Sequence, residues 1–94
     1  MIRFEWDIAK AQANKQRHGV SFDDAASVFS DQFARLLFDP EHSQDENRYI
    51  LLGLASSTRL LVVCHCYRED DEVIRLISAR KANRQETEQY WSLR

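Results

Sequence analysis

Polar and apolar positions follow two rhythms along the chain, and the change comes near Asp31. Before it the spacing is helical. A short opening strand at residues 2–5 leads to Asp7 at a helix N-cap position, and residues 8–17 are rich in Ala, Gln and Lys, all strong helix formers. Ile8, Ala9, Gln12, Ala13 and Gln16 share one side of that helix, so its amphipathicity is weak. Gly19 is the stop signal. A second helix starts at Ser21, with Asp24 as a weak capping box and Phe22, Ala25, Ala26 and Phe29 as its apolar stripe. Past Asp31, residues 33–38, 48–54, 59–67 and 72–79 are aliphatic and aromatic runs between polar stretches, which predicts four strands in an antiparallel meander. Residues 55–58 and 69–71 are hairpin connections, and residues 40–47 a longer polar loop. A last helix spans residues 83–93, with Asn83 as N-cap and Glu86 at the capping-box position. The predicted order is β-α-α-β-β-β-β-α, an α+β domain with its helices on one face of a curved antiparallel sheet.

Composition narrows the class. Ninety-four residues suit a single domain, 1–94, which buries roughly 60–65% of the surface of its unfolded chain. Apolar residues at 44% and charged residues at 30% make a globular balance, and two Gly and one Pro leave no linker or low-complexity tract. The start lacks a basic region followed by an apolar one, and no apolar run approaches the ~20 residues that span a bilayer. Cys64 and Cys66, one residue apart, build no disulfide framework. Cytoplasm is the expected compartment, with no membrane partner. The net charge of −2 is unevenly spread: residues 1–20 carry four bases against two acids, residues 21–47 one base against seven acids, and residues 75–94 five bases against two acids. An acidic total argues against unselective coating of nucleic acid. It still allows a local basic site built from the two chain ends.

Candidate chemistry rests on Arg, His, Glu and Tyr. Cys64-His65-Cys66 lacks metal-ligand spacing, because a strand sends His65 to the face opposite both thiols; they are expected to be small core residues, and no metal or cofactor is expected. Phosphate loops and nucleophile elbows are absent from the sequence. Metal-free RNA cleavage needs a base for the ribose 2′-OH, an acid for the leaving 5′-oxygen, and a cation for the charge on phosphorus. Guanidinium groups suit the last role. Arg68 ends one predicted strand, while Arg75 and Arg80 lie on or just after the next. Counting by twos puts Ile74, Leu76, Ser78 and Arg80 on one face and Val73, Arg75, Ile77 and Ala79 on the other. Arg75 reads most simply as a surface or ion-paired side chain. Arg80 borders a helix start with Lys81 and Arg84, a plausible anion site. Glu86 and Tyr90 are i, i+4 neighbours whose plain roles are a cap and a packed ring. His18, after Lys15 and Arg17, is either a helix-end cap or a proton carrier at neutral pH. Trp6 reads as core, and His42 as solvated in its acidic loop.

These residues also carry a resemblance. Phe4-Glu5-Trp6-Asp7, Asn14 and Arg17-His18-Gly19-Val20-Ser21-Phe22 with Ala25 resemble the N-terminal signature of BrnT toxins. Asp31, Arg48, Gly53, Arg68, Ile77-Ser78-Ala79-Arg80, Ala82, Glu86 and Tyr90 continue it in order over nearly the whole chain. Arg17 stands where Lys is usual and Asn83 where Thr or Ser is usual, each keeping the physical role. The resemblance implies a RelE-like fold and a type II toxin that inhibits translation by metal-independent endonucleolytic RNA cleavage. It also implies a BrnA-like antitoxin that covers the active surface and binds operator DNA, so that DNA is met only indirectly. On it His18, Arg48, Arg68, Arg80, Glu86 and Tyr90 are expected near the catalytic site, with Lys15, Arg17, Lys81 and Arg84 as RNA-binding cations. Which residue takes the proton stays open. The alternatives are a non-catalytic module that keeps the fold only to bind its antitoxin, and a DNA-binding regulator acting alone, which the acidic balance disfavours. An exposed apolar and basic surface is expected in either toxin reading.

Overall fold

A computed structural model of the chain describes residues 2–92. The elements are β1 (Arg3–Glu5), α1 (Ile8–His18), α2 (Phe22–Ser27), β2 (Arg35–Phe38), β3 (Tyr49–Leu54), β4 (Leu60–Arg68), β5 (Val73–Lys81) and α3 (Arg84–Ser92). Their order is the predicted α+β order, and the predicted end of the last helix at Leu93 lies outside the described residues. The strands form one sheet in the order β1-β5-β4-β3-β2. β2 through β5 are the antiparallel meander, and β1 adds to β5 in parallel, which makes the sheet mixed. The chain starts at one edge, crosses a face through α1 and α2, and returns strand by strand to the edge where it began.

Local chemistry accounts for the helix boundaries. Asp7 accepts from the Lys10 amide and Ser21 from the Asp24 amide, so both N-terminal helices are capped by side chains. Gly19 takes φ 70°, and its N–H donates to Lys15 O, closing α1. The weak stripe predicted for α1 is not its buried face: Ile8 is 72% exposed, and the only buried residue of the helix is Asn14. Helix α1 docks through a polar contact. Its Asn14 amide donates to Ala79 O (2.9 Å) and Val20 O (3.1 Å) and accepts from Ala79 N (3.0 Å). Ala79 lies beyond the end of β1, so one side chain satisfies strand groups that β1 is too short to reach.

The two faces of the sheet are covered differently. On the first face, Val20, Phe22, Ala25 and Val28 pack on Leu51, Leu61, Val63, Ile74, Leu76 and Ala79. His65 is buried on that face against the Phe29 ring, with centroids 4.8 Å apart. Gly53 lets the 3-10 turn at Val28–Ser30 approach β3, since a Cβ there would lie 2.7 Å from Val28 Cγ1 and 2.9 Å from Ala34 Cβ. The second face corrects the expectation that all helices share one side. Helix α3 packs there, with Tyr90 on Leu52 and Val62. Leu52 and Val62 are cross-strand partners one residue out of phase with Leu51 and Val63, and so point the opposite way.

Register in β5 also departs from a count by twos. Cys64 pairs with Ser78 and His65 with Leu76, so Ile77 is an extra residue, a β-bulge. Ile74 and Leu76 therefore face the first side, while Ser78 and Arg80 turn to the second. Among the described residues no helix is long and apolar enough to cross a membrane.

Candidate functional site

Helix α3 has nine residues and covers only one end of the second face. The rest of that face is an open cleft of about 260 Å³, lined by Asp39, His42, Arg48, Ile50, Val62, Cys64, Ile77, Ser78 and Arg80. Ile50, Val62 and Cys64 form its apolar floor, and the charged residues stand around the rim. Arg48 comes from the foot of β3 and Arg80 from the far part of β5, on either side of the central strand β4. The bulge decides this meeting, because an unbroken alternation would place Arg80 under α1 and α2.

Each guanidinium is held by a carboxylate. Arg80 donates from both terminal nitrogens to Glu86, at 2.8 Å each, and also to Lys81 O at 3.3 Å. Glu86 at the same time accepts from the Asn83 amide, while Asn83 accepts from the Glu86 amide, both at 2.8 Å, completing the capping box of α3. Its hydrogen bonds to Arg80 hold the Glu86 carboxyl below the usual carboxylate range, against partial burial, and they raise Arg80 further above its ordinary value. Arg48 and Arg68 share Glu46, at 3.8 and 3.1 Å. Arg48 Nε is buried with no hydrogen-bond acceptor among the described residues, an unmet donor at the rim of the cleft. A guanidinium has five N–H donors, so a carboxylate that takes two leaves others for a second anion.

The remaining sequence candidates separate. Arg68 sits at the end of β4, linked to the cleft through Glu46 rather than lining it. His18 and Arg17 lie with Lys10 in a second hollow, which shares only the wall formed by Ile77 and Ser78 with the cleft. Lys15 faces a third hollow with Asp24 and Arg59. Lys81 is exposed, and the exposed Arg84 pairs with Glu88 at 3.5 Å. Tyr90 is drawn away from the expected site: it is 1% exposed, and its hydroxyl donates to Asp31 Oδ2 at 2.5 Å. That Asp31 oxygen also accepts from the Leu54 amide, so Tyr90 fastens α3 to the sheet. Arg75 pairs with Glu5 across the β1–β5 register, at 2.5 Å. Cys66 is buried as expected, whereas Cys64 is only half-buried and forms part of the cleft floor. Burial pushes both thiols up, so neither is a ready thiolate.

Two residues of the cleft escaped the sequence reading. His42 is exposed, as expected of a solvated loop residue, and in addition its Nδ1 lies 2.8 Å from Asp39 Oδ2 and its ring lines the cleft. Asp39 is nearly buried, its side chain 11% exposed against 62% for His42. The i, i+3 spacing of an Asp and a His around a proline was the available signal. Only the 3-10 turn at Pro40–His42 turns that spacing into a contact.

The family model of the BrnT ribonuclease toxin of type II toxin–antitoxin systems matches residues 6–86. The chain belongs to the BrnT family. It is therefore a ribonuclease toxin of a type II toxin–antitoxin system, whose partner is an antitoxin. The crystal structure of the Brucella abortus ribonuclease toxin BrnT, at 1.1 Å resolution, is similar in fold, with a TM-score of 0.66 and 24% identity over 89% of this chain and all of that one. No curated protein sequence matches the chain. The family match runs from Trp6 to Glu86 and so takes in the whole arginine cleft.

Proposed function

We propose that this BrnT-family toxin, acting as one domain over residues 1–94, cleaves RNA in the open cleft of the second face. The observation that carries the reading is that Arg48 and Arg80, from strands on either side of β4, border one cavity. In this reading the scissile phosphate lies between them, accepting from Arg48 Nε and from the Arg80 donors that Glu86 leaves unused. Attack by the ribose 2′-OH then needs no metal, because the two guanidinium groups meet the charge that gathers on phosphorus. Glu86 sets the plane of Arg80, and Arg68 shares in holding Glu46, which steadies Arg48. His18, with Arg17 and Lys10, offers a second anionic contact over the shared wall of Ile77 and Ser78, and Lys15, Lys81 and Arg84 add cations for flanking phosphates. Cutting cytoplasmic RNA in this way inhibits translation.

A BrnA-like antitoxin would silence the site by covering it. The edge strand β2 exposes Leu36, Leu37 and Phe38 and runs straight into Asp39 at the rim of the cleft, so apolar and charged surfaces adjoin. The test is expression in bacteria alongside cleavage of total RNA by purified protein in excess chelator. Growth arrest, cleavage in chelator, and relief of both by Arg80→Ala are expected. The same rate of cleavage by Arg80→Ala and the unaltered protein would sink the reading.

A further inference from the structure

We infer that His42, oriented by Asp39, is the residue that takes the proton from the ribose 2′-OH. The inference rests on the cleft reading above and supplies the base that reading leaves open. Three histidines are present, and the structure separates them. His65 is fully buried, with Nδ1 against Val63 O at 3.1 Å and Nε2 against the Tyr67 hydroxyl at 3.2 Å, so neither nitrogen is open to a substrate. His18 lies in the neighbouring hollow, beyond the wall of Ile77 and Ser78. His42 alone lines the cleft with Arg48 and Arg80.

Its setting is that of a positioned base. Asp39 Oδ2 accepts from Nδ1 at 2.8 Å, which fixes the tautomer with its proton on Nδ1 and leaves Nε2 as the lone-pair nitrogen. No hydrogen bond engages Nε2 among the described residues. Asp39 is itself held: its amide donates to Arg48 O at 2.8 Å, and its carbonyl accepts from the Ser43 hydroxyl. The same Ser43 hydroxyl accepts from the Arg48 amide at 2.9 Å, so the turn that carries the base and the foot of the strand that carries the guanidinium form one hydrogen-bonded unit. The carboxylate also stabilises the imidazolium once it forms, as in other His–Asp pairs.

The step balances as follows. The 2′-OH proton passes to His42 Nε2 while the 2′-oxygen forms a bond to phosphorus. The bond from phosphorus to the 5′-oxygen breaks, that oxygen takes a proton from solvent water, and the imidazolium returns its proton to the hydroxide left behind. The products are a 2′,3′-cyclic phosphate and a free 5′-hydroxyl. Asp39 touches no substrate and is a positioning residue.

The test compares His42→Ala, His18→Ala, Asp39→Asn and Arg80→Ala for cleavage of a short single-stranded RNA, with filter binding of the same RNA under non-cleaving conditions. His42→Ala is expected to lose roughly 10²–10⁴-fold in rate, to bind RNA within a few-fold of the unaltered protein, and to regain activity with added imidazole. Asp39→Asn is expected to lower kcat while KM and RNA binding stay within a few-fold of the unaltered protein, a split that a merely structural loss would not give. His18→Ala, which removes one side chain of the second anionic contact, is expected to weaken RNA binding and to gain nothing from added imidazole. Full activity of His42→Ala beside an inactive Arg80→Ala, or a failure of imidazole to rescue, overturns the base assignment alone. Unaltered protein that leaves RNA uncut, or a fully active Arg80→Ala, overturns the cleft reading and the base with it.

Discussion

Asn14 shows how much one side chain decides. It is the buried residue of α1, and its amide stands in for the strand that β1 does not provide, pairing with both backbone groups of Ala79. Truncating it leaves the Ala79 N–H and C=O and the Val20 carbonyl without that partner. Unmet buried groups cost roughly 1–3 kcal/mol each, so Asn14→Ala is expected to lose about 2–4 kcal/mol in urea unfolding. A loss below about 0.5 kcal/mol, the size of an ordinary surface change, would mean that α1 docks by other means. Gly53 acts at the same scale through what it lacks: Val28, Ala34 and Asp31 close over the space a methyl group would fill. Asn14 and Gly53 are both in the family signature quoted above, and the contacts give each a physical reason to be there.

At the scale of elements, the bulge in β5 and the capping box of α3 place Arg80. The bulge turns it to the second face, and Glu86, fixed at the helix start by Asn83, grips it with two bonds. Glu86→Gln keeps the cap, since a Gln side chain still accepts at that position, but gives up the charged pair. Because both side chains are partly exposed, the expected loss of stability is modest, about 1 kcal/mol. RNA cleavage should fall by more than that loss explains, as Arg80 is released from its plane. Cleavage and urea unfolding measured on the same preparation separate the two effects. The Glu86 contribution is present above the ordinary carboxylate range and is lost as pH falls through its lowered pKa.

On the whole-molecule scale, two helices seal the first face and one short helix leaves the second partly open. The sealed face carries His65, which burial holds below the ordinary imidazole value, against the opposing pull of the Val63 carbonyl. The sign follows. Above the unfolded value, about 6.5, His65 is neutral in both states and stability is intact. As pH falls below it, the unfolded chain takes up a proton that the folded chain resists, and stability declines towards the folded pKa. The urea midpoint is expected to drop between pH 7.5 and 5.5, and His65→Gln to flatten that drop. An equal drop in the variant would assign the acid sensitivity to another group. The same sealing leaves chemistry to the open side, where Arg48, Arg80 and His42 border one cleft.

Most of the element order was legible, because N-caps, a helix-stopping glycine and the change of apolar period act within a few residues of one another. Asp7, Ser21, Gly19 and Asn83 each perform the terminal role read from their neighbours. The site was legible only as a set of residue types. A count by twos cannot see Ile77 as an extra residue, since a bulge arises from how two strands pair and not from either strand alone. The same limit hid α3 on the second face and Tyr90 against Asp31, whereas His42 against Asp39 is a local contact that only the 3-10 turn makes. Local propensities and periodicities are short-range energies written residue by residue along the chain. Which guanidinium meets which, and which histidine faces them, is settled by contacts between residues tens of positions apart, and those exist only once the sheet has closed.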